Sequence, residues 1–322
     1  MNKLVLSTFV IGLLSSCSSF NKVAINTSSG LLYQASGNVE TEGNFELAKL
    51  GLPANLILLE GLLSESKNNE EILATLTKGY AGLAFGFNEA DYLVDQWENK
   101  TDEANKNLAL MNYSKAINFG IRYLKQKNIH WEDLKSKMND QTALMHLFDK
   151  NLSSDKMDLE TLMFTAQSLG SVINLQKDNM TLISELPIVK AMFDWTCMKN
   201  PSLNFGTCDI FFGTYEAGRP KMLGGNPEKG KEIFEKAILK HPHNWLVRVS
   251  YIQYYLIPMA DEEGFKVQMD YLKERAVEFK KSQMYQPTPQ IFEWAREDRL
   301  RLFQSIAIKR YELFEKYKKQ LF

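Results

Sequence analysis

Apolar residues recur at helical spacing along almost the whole chain. Leu47, Leu50, Leu56, Leu59, Leu62 and Leu63 mark a helix over 46–65, with Pro53 at a break or kink. Ile72, Leu73, Leu76, Tyr80, Leu83 and Phe87 mark another over 70–87. Leu108, Met111, Ala116, Phe119 and Tyr123 do the same over 105–125. Helices are also expected over 158–175 and 184–198, the latter opening near Ser184-Glu185-Leu186-Pro187. The clearest is 226–239: Asn226 suits an N-cap, Pro227 the first helical position, and Ile233, Phe234, Ala237 and Ile238 share a face. His241-Pro242 ends it. Helices over 244–256 and 262–280 follow, then a long one over 288–321 opened by Thr288-Pro289. It carries Phe292, Trp294, Phe303, Tyr311, Phe314 and Tyr317. Leu246 to Tyr255 partly alternates, but it sits between helices and is read as helix. The pattern predicts an all-α fold.

Paired helices joined by short turns read as a helical repeat, because such units bury their apolar faces only by stacking. Ile233-Phe234-Glu235-Lys236-Ala237-Ile238, closed by Pro242, resembles the second helix of a tetratricopeptide (TPR) repeat. The small Ala237 lets neighbouring helices approach closely. Tyr113-Ser114-Lys115-Ala116-Ile117 looks like a second copy. The period is imperfect, so the expectation is a degenerate TPR-like α-solenoid.

The first residues break this pattern. Lys3 precedes an apolar run from Leu4 to Leu14, too short for a spanning helix of roughly 17–25 residues. Leu14-Ser15-Ser16-Cys17 then fits a bacterial lipobox, in which the cysteine is lipidated and becomes the mature N-terminus. The alternative is an ordinary signal peptide with an incidental cysteine. The expected organisation is a signal over 1–16, a lipidated end and tether over 17–42, with 18–30 rich in Ser and Asn, and a helical domain over 43–322. Several acyl chains would anchor that domain to a membrane. Ser18-Ser19, with no aspartate after Cys17, favours the outer membrane over the inner. No other long apolar run is apparent.

Composition adds limits. The chain is 44% hydrophobic, ample for a core, and its formal charge of −1 becomes −2 once Lys3 leaves with the signal. That balance argues against nucleic acid, which needs a concentrated basic patch. Cys197 and Cys208 flank the turn Asn200-Pro201-Ser202 symmetrically and would face each other in an antiparallel helix hairpin. A disulfide, ordinary in an exported protein, and two buried thiols are both open.

No catalytic constellation stands out. HExxH, zinc-spaced Cys/His clusters, GxxxxGK[ST] and a lipase Gly-x-Ser-x-Gly are missing, so no enzyme activity, metal or cofactor is expected. His241-Pro242-His243 reads as a polar loop sooner than a metal site. Gly224-Gly225 reads as a flexible turn into the Asn226 cap, and Gly170-Ser171 as a point of close helix packing. Arg219 and Lys221, beside Tyr215 and Glu216, are candidates for ligand or partner contact, since arginine can grip a carboxylate with two prongs. Their alternative role is to cap the helix ending near residue 217 or to pair with acidic neighbours. Lys177-Asp178 is a second charged turn. Tyr251, Tyr254 and Tyr255 crowd one helix as core or as lining of a concave face.

Several blocks resemble the TRAP transporter T-component family (TatT). They are Gly43-Asn44-Phe45-Glu46-Leu47-Ala48-Lys49-Leu50-Gly51-Leu52-Pro53-Ala54-Asn55, Gly79-Tyr80 with Phe85-Gly86-Phe87, and Ser168-Leu169-Gly170-Ser171-Val172-Ile173-Asn174 followed by Lys177-Asp178. The strongest is Phe212-Gly213-Thr214-Tyr215 with Arg219-Pro220-Lys221-Met222-Leu223-Gly224-Gly225-Asn226-Pro227-Glu228-Lys229-Gly230. The blocks run in order from about 43 to 277, while 130–157 and 288–322 are less diagnostic. The resemblance implies a periplasmic lipoprotein of degenerate TPR-like helices, able to form a homotrimer with an opening through each protomer. It implies as partner the periplasmic solute-binding P subunit of a tripartite ATP-independent periplasmic (TRAP) transporter, and as cargo a small organic acid or a more hydrophobic ligand. The other reading is an envelope scaffold lipoprotein binding peptides or proteins, unrelated to transport.

Overall fold

The computed structural model describes residues 21–322; the signal sequence expected over 1–16 and Cys17 lie outside the described residues. Helices account for most of the described residues, and no strand occurs among them. The first, α1, covers 21–36, followed by a 3-10 turn at Gly37–Thr41. This differs from the expected tether. The Asn and Ser that suggested a solvated linker are used as contacts: Asn26 accepts from Ser66 Oγ at 2.6 Å, and Ser29, fully buried, accepts from Asn69 at 3.0 Å.

Helix α2 (Phe45–Glu65) starts at Asn44, whose side chain accepts the Leu47 N–H, and it carries Pro53 without ending. It is the one helix among the described residues long and apolar enough to cross a membrane. Its Lys49–Asp91 and Glu60–Lys115 ion pairs tie it to the helical body instead. Helix α3 (Glu70–Leu83) runs through a π-helical turn at Ala84–Asn88 into α4 (Glu89–Trp97). Then come α5 (Ala104–Gln126), two short helices in the 130–157 insert, α6 (Trp131–Ser136) and α7 (Gln141–Asn151), and α8 (Lys156–Leu175). Asp140 and Asp155 cap α7 and α8 by accepting backbone N–H bonds, the role short acidic side chains favour at helix starts.

After α9 (Met180–Ile183) and α10 (Leu186–Lys199), the chain turns through Asn204, Phe205 and Gly206, all at positive φ, into α11 (Thr207–Gly218). A disulfide between Cys197 and Cys208 closes this corner. Helix α12 (Pro227–Lys240) begins as expected, with Asn226 accepting the Lys229 N–H. Helix α13 (Leu246–Tyr251) passes into a second π-helical turn, Ile252–Leu256, then α14 (Glu262–Gln283).

The long helix expected over 288–321 is not formed. Residues 287–300 hold only 3-10 turns at Glu293–Ala295 and Asp298–Leu300; helix begins at α15 (Arg301–Lys316) and ends in α16 (Lys318–Leu321). Phe292 and Trp294 leave helical register because their rings are drawn inward. Trp294 lies 5.0 Å from Trp245 and 5.8 Å from Phe279, centroid to centroid, and its indole donates to Glu278.

Consecutive helices stack: α3 on α5, α5 on α8, α8 on α10, then α11 on α12, with α13 and α14 packed on α15. Most of the buried apolar side chains form one core running from α2 to α15. Ala237, singled out as a small interface residue, and Ala116 of the second repeat-like stretch are both buried. At Gly230 a side chain would meet the Ala217 backbone N at 2.9 Å, which is how closely α12 approaches α11.

Candidate functional site

The expected cationic loop is built between α11 and α12. Gly224 takes φ +81°, and the Gly225 N–H donates to Pro220 O while Asn226 N–H donates to Glu216 O at 2.9 Å. A Cβ at Gly225 would stand 1.9 Å from Arg219 O, so the turn closes tightly. Arg219 is an integral part of that closure. Its Nε donates to Tyr215 O at 2.9 Å, one Nη donates to Gly224 O at 3.1 Å and pairs with Glu216 at 3.4 Å, and the guanidinium lies 3.7 Å from the Tyr215 ring centre. Glu216 also accepts from Lys229. The structure therefore brings Tyr215, Glu216 and Arg219 together as a helix C-terminal cap, with Lys221 and Met222 turned to solvent.

The other expected residues separate. Lys177 and Asp178 are exposed in the turn after α8. Tyr251 and Tyr255 are core: Tyr251 stacks on Phe234 and on Tyr255. Tyr254 is partly accessible. His241 pairs with Asp209 at 2.9 Å, and no group of three metal-binding side chains occurs among the described residues.

Tyr254 leads to a second centre that the sequence did not reveal. Arg310 of α15, fully buried, donates to Gln253 Oε1 at 2.6 Å and to Phe85 O at 2.7 Å, and stands over the Phe85 ring. Phe85 belongs to one π-helical turn and Gln253 to the other, so a single guanidinium holds both. Turns of this kind divert backbone carbonyls from the α ladder and often mark functional positions. Glu89, the first residue after the first π turn, lies 3.6 Å from Arg310 and accepts from Tyr113 at 2.5 Å. Ser171 also faces Glu89. Burial raises the Glu89 carboxyl above its ordinary value, with Arg310, Tyr113 and Ser171 opposing. Burial likewise pushes the Tyr254 phenol up, helped by Glu89 and opposed by Arg310. Phe85-Gly86-Phe87 and Ser171 were visible as motif residues, but the contact of Phe85 with an arginine 225 positions later was not.

Two clefts flank α1. One, about 600 Å3, is lined by Lys22, Asn26 and the α2–α3 turn; the other, about 210 Å3, is lined by Tyr33, Ser36, Lys78, Lys156 and Glu160.

No curated protein matches the chain. The family model of the TRAP transporter T-component matches residues 41–284, which takes in α2 through α14, both π turns and the cationic loop. This chain belongs to the TRAP transporter T-component family.

Proposed function

We propose that the chain is a lipoprotein accessory subunit of a TRAP transporter, facing the periplasm, that docks the solute-binding P subunit and passes a small organic acid or hydrophobic ligand to or from it. Family membership supplies the transport context. The observation that carries docking is the uncovered face of α2. Leu47, Leu50, Ile57 and Leu58 project outward at helical spacing, and Met111 of α5 is exposed one turn before Lys115, the partner of Glu60. Contiguous exposed apolar surface of this kind marks interaction sites. The same face suits self-association into a homotrimer. Lys221 and Met222 offer a second, cationic contact at the far loop. Lipidation at Cys17 would hold the domain at the membrane, the outer one favoured by Ser18-Ser19.

The test is a pull-down from envelope extract with the parent and with Leu50→Lys/Ile57→Lys. The parent is expected to bring down a solute-binding protein, and the variant to lose it. Capture only of unrelated envelope proteins or peptides would favour the scaffold reading and overturn this one. Detergent partitioning that is unchanged by Cys17→Ser would remove the anchor.

A further inference from the structure

We infer that the cleft beneath the start of α1 seats the headgroup of a phosphatidylethanolamine lipid, and so sets the corner of the domain that rests on the bilayer. The cleft holds about 600 Å3 between α1 and the turn from α2 to α3. Its walls carry both signs of charge: Lys22 and Lys67 on one side of the balance, Glu65, Glu70 and Glu71 on the other. Glu70 is taken by Lys127 at 2.6 Å. The rest are not spent on one another. Among the described residues neither lysine lies within ion-pair distance of a carboxylate, and neither Glu65 nor Glu71 lies within that distance of a cation. The walls are fixed before anything binds. Asn26 accepts from Ser66 and Asn69, Glu71 accepts from Ser29, and Arg122 donates to the Lys67 carbonyl at 2.8 Å.

Two ammoniums and two carboxylates around one cleft fit a ligand that carries a phosphate and an ammonium a few bonds apart. The phosphate meets Lys22 and Lys67, and the ligand ammonium donates to Glu65 and Glu71. Phosphoethanolamine has the N–H donors this needs. Phosphocholine has none, and quaternary ammoniums are held by aromatic cages, whereas no aromatic residue lines this cleft. A bare phosphate would leave both carboxylates facing an anion. Position selects a lipid as the source. Helix α1 begins four residues after Cys17. Four residues reach at most about 14 Å, so an acylated Cys17 brings the cleft to the headgroups. No acidic residue precedes Glu40 to repel them, and Val23, beside Lys22, is 62% exposed. The anchor also makes headgroup capture intramolecular, so a weak contact suffices.

This inference rests on the lipid-anchor reading for the nearness of the bilayer, and the test separates the two. The full chain, purified in non-ionic detergent, is titrated calorimetrically with glycerophosphoethanolamine, glycerophosphocholine and inorganic phosphate. The first is expected to bind about three- to tenfold more tightly than either of the others. Lys22→Ala/Lys67→Ala should weaken it about three- to tenfold at an unchanged thermal midpoint, since both side chains are exposed. Glu65→Gln should narrow the gap between the ethanolamine and choline compounds. In the second arm the acylated chain carries a nitroxide at Val23→Cys. It is placed in vesicles of phosphatidylethanolamine with phosphatidylglycerol, or of phosphatidylcholine with phosphatidylglycerol. The label should be shielded from a water-soluble relaxation agent in the first vesicles, less so in the second, and equally in both once Lys22 and Lys67 are alanine. No binding, equal binding of the two headgroups, or a double variant that binds like the parent would each overturn the inference. Headgroup binding with a label equally exposed in both vesicles would mean a soluble phosphoester is the ligand and would overturn the lipid assignment. An intact mass without acyl chains would fail the anchor reading and take the lipid assignment with it; an acylated chain that fails the titration fails this inference alone.

Discussion

Arg299 donates two guanidinium hydrogen bonds, 2.9 and 2.5 Å, to Glu40, a residue 259 positions earlier in the chain. Lys78 closes on the same carboxylate from α3. Glu40 is almost wholly buried, so this contact fastens the N-terminal segment to the 3-10 turns before α15. Breaking one side of a buried ion pair strands the remaining charges, so Glu40→Gln should cost about 2–4 kcal/mol. Burial by itself would raise the Glu40 carboxyl, but Lys78 and Arg299 outweigh it and hold it below its ordinary value. Its contribution is therefore complete above the ordinary carboxylate range and is lost as pH falls through the lowered folded value. Denaturant titrations over an acid series should show this loss in the parent and not in Glu40→Gln.

The Cys197–Cys208 bridge spans 11 positions and joins α10 to α11. Closing so short a loop in the unfolded chain should contribute about 2–3 kcal/mol. Reductant is expected to lower the urea midpoint of the parent, and a Cys197→Ser/Cys208→Ser variant should start at the lowered midpoint and ignore reductant.

Local periodicity revealed the helices because their apolar residues repeat within one or two turns. Asn226 with Pro227 announced a helix start through chemistry confined to a few residues. The failures are all long-range. Phe292 and Trp294 have helical spacing, yet rings from Trp245 and Phe279 pull them out of a helix. Asn26 and Ser29 look solvated until Ser66 and Asn69 are set beside them. Arg219 was legible as gripping a ligand or capping a helix, but its contacts with the Gly224 carbonyl and the Tyr215 ring could be seen only in three dimensions. Arg310 gave no signal: among charged residues on an amphipathic helix, nothing local distinguishes the one that is buried.

Arg219 and Lys221 should behave differently despite their proximity. Arg219→Ala removes two backbone-directed donors and an ion pair, an expected loss of about 1–3 kcal/mol. Gly225→Ala should lose a similar amount, about 1–3 kcal/mol, because its Cβ collides with the Arg219 carbonyl. Lys221→Ala, on the exposed side, should stay within about 0.5 kcal/mol of the parent. If the loop steers an acidic partner, only the Lys221 change should lower the association rate without touching stability, and the difference should fade with added salt.

Ala237 is buried on α12, where the helix packs against α11 and α13. Ala237→Trp overfills that contact and should destabilise by about 1–3 kcal/mol, read as a lowered thermal midpoint. Leu239 lies two residues on but faces water, so Leu239→Trp is the control that should leave the midpoint unmoved.

The outward stripe of α2 separates surface function from fold. Leu50 is 77% exposed and Ile57 67%, while Leu56 and Leu63, on the opposite side of the helix, are buried in the core. Converting an exposed leucine to lysine removes little buried area, so Leu50→Lys and Ile57→Lys should each stay within about 0.5 kcal/mol of the parent in urea unfolding. Leu56→Ala should instead cost about 2–5 kcal/mol through lost burial and a cavity. If the stripe is a contact surface, sedimentation should show the parent associating with itself or with a solute-binding protein, and the two lysine variants remaining monomeric at equal stability. Lysine variants that associate as the parent does would place the contact elsewhere on the helical body.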